Sequence, residues 1–155
     1  ELVRRLRDAD HEVRCALTEA ATRLVAPAAL IAVSGAPVHT GMWPDDGSMP
    51  HIDLARWCDR LLVAPATANC LAHLALGLAD DLVTTTALAL GPERPLILAP
   101  AMNTQMWRHP AVQANLATLR ARGARVVEPV SGRLACDEDG VGAMADVPAI
   151  VAAVA

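Results

Sequence analysis

Two short apolar runs limit what this chain can fold into. Arg60-Leu61-Leu62-Val63-Ala64 and Pro95-Leu96-Ile97-Leu98-Ala99 are aliphatic and lack the polar alternation of a half-exposed strand. Each leads into a proline-started, asparagine-bearing turn, Pro65-Ala66-Thr67-Ala68-Asn69 and Pro100-Ala101-Met102-Asn103. A helical pattern follows each turn. Strands buried on both faces, each succeeded by a turn and a helix, are the building unit of a parallel α/β sheet.

The rest of the chain fits that unit. Leu2, Val3 and Leu6 sit at helical spacing before an alternating strand, Glu12 to Leu17. Thr18 caps a helix from Glu19 to Val25, and Ala28 to Val33 forms another short helical piece. Ala36 to Pro50 reads as a long loop, and His51 to Trp57 as a turn or two of helix. Helices are expected over Thr67 to Leu78, Leu82 to Leu90 and Ala111 to Arg122, the last stopped by Gly123. Arg125 to Glu128 is the last strand, Ser131 to Gly142 a polar loop, and Val147 to Ala155 a closing helix.

The expected architecture is therefore a doubly wound, Rossmann-like or flavodoxin-like parallel sheet with helices on both faces, in a single domain over residues 1–155. A chain that opens inside a helix implies a first strand ahead of Glu1, so N-terminal truncation is expected.

Composition narrows the function classes. Net charge is −4, there is no Phe or Tyr, and no basic block stands out, which argues against a nucleic-acid partner. No apolar run reaches membrane length, so no membrane partner is expected. Cys15, Cys58, Cys70 and Cys136 form no CxxC pair, and the five histidines are scattered, so neither a metal nor a disulfide framework is expected. Free thiols fit a cytoplasmic protein.

Parallel strands all end on one edge of a sheet. That edge should collect Thr18, Pro65 to Asn69, Pro100 to Asn103 and Ser131 to Cys136. Helix N-termini aimed at such an edge favour anions, which points to a phosphorylated cofactor or an acidic substrate. Taken singly, each hydroxyl or amide there also reads as a helix cap. Two related Asn-bearing turns exceed what capping alone requires.

Pro65 to Cys70 looks like the PASANT motif, and Pro100 to Trp107 matches PxMNxxMW at every specified position. Together they resemble the homo-oligomeric flavin-containing cysteine decarboxylases, the family of phosphopantothenoylcysteine decarboxylase and of the peptidyl-cysteine decarboxylases of lantibiotic-type maturation. His51-Ile52-Asp53-Leu54, Gly77 to Asp81 and Leu134-Ala135-Cys136 extend the resemblance. The family's early Gly-Ser segment has no counterpart here and would belong to the expected first strand.

The resemblance implies FMN, with Thr18, Pro65, Thr67, Asn69 and Met102 at cofactor-binding positions. It implies a small-molecule or peptide substrate ending in cysteine and a homo-trimer or a multiple of trimers. By analogy, a hydride leaves the cysteine β-carbon for the flavin while the thiol deprotonates. The resulting thioaldehyde is the electron sink that lets carbon dioxide depart, giving an enethiolate. In the coenzyme A enzyme a family cysteine protonates that product and the hydride returns.

His51, Asn103 and Cys136 match the catalytic positions. His51 corresponds to a base or positioning group near the thiol, suited by an unperturbed pKa of about 6.5. Outside the motif, a histidine starting a helix reads as a cap or a surface residue. Asn103 corresponds to the amide that binds the substrate carboxylate, and Ala135 and Cys136 to substrate contact and proton donation. Met102 corresponds to a position near the flavin, while Met106 and Trp107 read as packing. Asp137 stands where the family has glycine. Aspartate tolerates a left-handed backbone, and its charge raises a neighbouring thiol's pKa, which keeps the proton on sulfur.

Cys136 favours phosphopantothenoylcysteine, since an oxidative peptide decarboxylase does not require it. The alternatives are a peptide substrate, left as an enethiol, and a non-catalytic FMN-binding regulatory subunit.

Overall fold

The computed structural model describes residues 1–133 and 139–155. The chain separates into two compact units, residues 1–57 with 79–90, and residues 58–78 with 91–155.

In the first unit, α1 (Leu2–Asp8) packs on α3 (Pro27–Ser34), and Arg7 Nη1 donates to the Val33 carbonyl at 3.0 Å. Strand β1 (Cys15–Ala16) pairs in parallel with β2 (Val38–His39), so Cys15 faces Val38 and Ala16 faces His39. The expected strand at Glu12 to Leu17 is thus shorter, and the expected loop at Ala36 to Pro50 contains a strand. Two strand residues, Val38 and His39, are too few to show a period of two, and their partner lies more than twenty residues earlier.

The short α2 (Glu19–Thr22) is capped by Thr18, and α4 (Pro50–Trp57) packs against α6 (Leu82–Leu88). Asp81 caps α6 by accepting from the Val83 and Thr84 N–H groups at 2.7 and 2.9 Å. The Arg14 guanidinium lies over the Trp57 ring, 4.2 Å from its centre, and holds the end of α4.

In the second unit, β3 (Leu61–Ala66), β4 (Leu96–Pro100) and β5 (Arg125–Val126) form a parallel sheet in that order. Ile97, Leu98 and Ala99 are all 0% exposed. Successive side chains on a strand point to opposite faces, so β4 is covered on both sides, as its unbroken apolar run requires. Helix α9 (Val147–Val154) packs on β4 through an apolar face that buries Ile150.

Helix α5 (Ala68–Leu76) packs against α8 (Pro110–Ala121), and Arg122 Nη1 ties the pair by donating to the Ala75 carbonyl at 2.7 Å. Pro65 lies inside β3 rather than in the turn after it. The β3–β4 register shifts between Val63 and Ala66, which spares proline the N–H it lacks. Between β4 and α8 the short α7 (Thr104–Arg108) intervenes.

The expected loop from Ser131 to Gly142 includes an antiparallel pair, β6 (Val130–Arg133) and β7 (Asp139–Ala143). Its glycines, Gly132, Gly140 and Gly142, carry no strand signal of their own, which is why the sequence reads as loop. Among the described residues Cys15, Cys58 and Cys70 form no disulfide. Among the described residues no helix is long and apolar enough to cross a membrane.

Candidate functional site

Strands β3 and β4 run in parallel and end in register, with Ala66 facing Pro100 and the Ala101 N–H donating to the Ala66 carbonyl at 3.2 Å. The two Asn-bearing turns therefore leave the same sheet edge side by side. Thr67 caps α5, its Oγ1 accepting from the Cys70 N–H at 3.2 Å, and Asn69 is exposed in the first turn of that helix. A threonine hydroxyl that accepts from its own helix keeps its proton to donate outward. Pro65, Thr67, Asn69, Met102 and Asn103 thus share one edge of the second unit.

Asn103 caps α7. Its Oδ1 accepts from the Gln105 N–H at 2.8 Å, which fixes the amide so that Nδ2 is its donor side. A neutral donor of this kind can hold a carboxylate without a countercharge that would oppose carbon dioxide loss. The turn is gripped from the other side by β7. The Met102 N–H donates to the Gly142 carbonyl at 2.9 Å, and α7 packs against β7. The Thr104 Oγ1 is buried with no hydrogen-bond partner among the described residues. Met106, expected to pack, is 47% exposed: α7 is only five residues long and turns that side chain outward.

Thr18 and His51 belong to the first unit. Thr18 Oγ1 accepts from the Ala21 N–H at 3.2 Å, so its capping role is realised. His51 sits in the first turn of α4, with its Nδ1 buried and unpartnered among the described residues. An imidazole nitrogen left this way costs free energy unless another molecule satisfies it. Ala135, Cys136 and Asp137 lie outside the described residues.

Gly140, Gly142 and Thr104 were not singled out from the sequence. The Gly-x-Gly spacing at 140–142 is the signal available, because glycine inside a strand marks a place where another backbone comes close.

The flavoprotein family model matches residues 1–155. The chain is 48% identical over 141 residues to the coenzyme A biosynthesis bifunctional protein CoaBC of Mycolicibacterium smegmatis, covering 91% of this chain and 34% of that protein. It therefore spans about a third of the curated relatives it matches. A mutant PPC decarboxylase solved with pantothenoylaminoethenethiol superposes with a TM-score of 0.83 at 31% identity, over 98% of this chain and 86% of the other. The FMN-dependent cysteine decarboxylase SpaF gives 0.79 at 36% identity, over 99% and 87%. The α/β fold is that of these structures. With its paired strand-end turns, and with the family model matching from first residue to last, the chain belongs to the flavoprotein family.

Proposed function

We propose that this chain is an FMN-dependent decarboxylase of an acylated cysteine, converting phosphopantothenoylcysteine to pantetheine phosphate in coenzyme A biosynthesis. The observation that carries the reading is the turn after β4, where Asn103 is held by Gln105 with its donor side set. The 48% identity to CoaBC and the likeness to PPC decarboxylase support the choice of substrate.

FMN, when bound, supplies the hydride acceptor. Thr18, Pro65, Thr67, Asn69 and Met102 are the residues assigned to hold it. The fit rests on donor chemistry: hydroxyls and an amide, all neutral, suit phosphate and carbonyl oxygens, and Thr67 stands at the positive end of a nine-residue helix.

Asn103 binds the substrate carboxylate. His51 receives or orients the thiol proton, and its buried, unpartnered Nδ1 needs such a group. Ala135 and Cys136 keep the roles that the family resemblance implies, substrate contact and protonation of the enethiolate. Cysteines that form no disulfide among the described residues, Cys15, Cys58 and Cys70, support a cytoplasmic setting.

We also assign a trimer or a multiple of trimers. Helix α3 is apolar on every side yet leaves Ile31 46% exposed, and Leu24 and Val25 beside it are 87% and 41% exposed. A helix apolar all round is expected to be buried.

The likeness to SpaF supports a second reading, in which the substrate is a peptide ending in cysteine. One assay separates the two. The protein and FMN are incubated with phosphopantothenoylcysteine and, separately, with such a peptide, and the products are weighed by mass spectrometry. Loss of one carbon dioxide from the small substrate supports the first reading. Loss of carbon dioxide plus two hydrogens from the peptide alone supports the second, and an unchanged mass in both sinks the enzyme. Cys136→Ser should turn the small-substrate product into its oxidised form.

A further inference from the structure

We propose that Gly140 and Gly142 are positioning residues that set the Asn103 amide by letting the β7 backbone dock directly on the Met102–Thr104 turn. The proposal rests on the decarboxylase reading above and goes beyond it, since that reading gives neither glycine a role.

Two close approaches carry it. A Cβ built on Gly142 would lie 2.2 Å from the Met102 carbonyl oxygen and 3.4 Å from the Asn103 carbonyl carbon. Backbone cannot yield as a side-chain tip can, and Gly142 also has φ +148°, where L side chains are rarely found. The same residue accepts the Met102 N–H at 2.9 Å, so one glycine both bonds to the turn and permits the contact.

A Cβ on Gly140 would lie 2.2 Å from Thr104 Oγ1 and 3.2 Å from Thr104 Cβ. That hydroxyl is buried without a partner among the described residues. An unsatisfied buried hydroxyl is unfavourable, and here it is tolerated while β7 presses on the turn. Asn103 lies between the two contacts, as the residue between Met102 and Thr104. Glycine at 140 and 142 therefore determines how deeply the turn can sit against β7, and with it the direction of the amide.

The test is steady-state kinetics of the full chain with FMN and phosphopantothenoylcysteine. Gly142→Ala should raise KM on the order of 10–100-fold, the penalty for a misplaced binding group, while kcat changes little. Because it acts through Asn103, it should add nothing further to KM in an Asn103→Ala background. Gly91→Ala, where a Cβ meets nothing within 4 Å, should match the wild type.

If Gly142→Ala does not fold, Gly140→Ala with and without Thr104→Ala replaces it. The single change should raise KM, and removing the Thr104 hydroxyl should restore it at least in part. An active wild type whose glycine variants keep the wild-type KM, or whose Gly142→Ala effect adds in full to Asn103→Ala, overturns the positioning role alone. A wild type without turnover overturns the decarboxylase reading and this proposal with it.

Discussion

Asn103 meets two demands with one side chain, and a substitution can separate them. Its Oδ1 caps α7 through the Gln105 N–H, while the proposed chemistry uses the nitrogen. Aspartate caps a helix as well as asparagine does. Asn103→Asp should therefore keep its stability to within about 0.5 kcal/mol in urea unfolding. It should lose about 100-fold in kcat/KM, because a carboxylate cannot donate to the substrate's own carboxylate. Equal losses in both measurements would mean that Asn103 is only a cap.

Cys58 offers a pH test at the same scale. Burial pushes its thiol above the ordinary 9.0, with Arg94 opposing the shift and Asp59 adding slightly to it. The folded chain thus holds this proton more tightly than the unfolded one. The stabilisation is full below pH 9.0 and is lost as pH climbs from there through the folded value. Denaturation midpoints followed upward from pH 8 should fall less steeply for Cys58→Ala than for wild type. Cys15 keeps a contribution of the same sign, because burial raises its thiol too. Identical slopes would refute the linkage.

Among the elements, α6 owes its start to Asp81, which with Thr84 closes a capping box. Asp81→Ala should cost about 1 kcal/mol in chemical denaturation, and Asp81→Asn much less. Retention of full stability by the alanine variant would show that packing against α4, not the cap, sets the helix. The elements also show which signals were legible. Leu61–Val63 and Leu96–Ala99 stood out because a strand covered on both faces must be apolar throughout. Thr18, Thr67 and Asn103, assigned to cofactor and substrate, also read as caps, and each does cap its helix. Strand β2 and the β6–β7 pair were not legible: two residues show no period, and glycine contributes no side chain to a pattern.

For the whole molecule, the proposed assembly has a direct test. A glutamate at position 31 places a charge on a helix that is apolar on every side. Ile31→Glu should reduce the mass measured by light scattering to that of one chain. A wild type that already elutes as a single chain would overturn the assembly.

Local sequence by itself determined the parallel α/β pattern and the two asparagine-bearing turns that leave β3 and β4 side by side. Both follow from rules that act within a few residues: unbroken apolar runs for doubly covered strands, and threonine or asparagine where helix N–H groups lack partners. The tertiary structure decided how Asn103 is held. The grip on its turn joins residues nearly forty positions apart, through a carbonyl of β7 and two glycines whose contribution is the absence of a side chain. A residue that acts by leaving space gives no local signal. Its meaning appears only once the fold brings Met102 and Thr104 into that space.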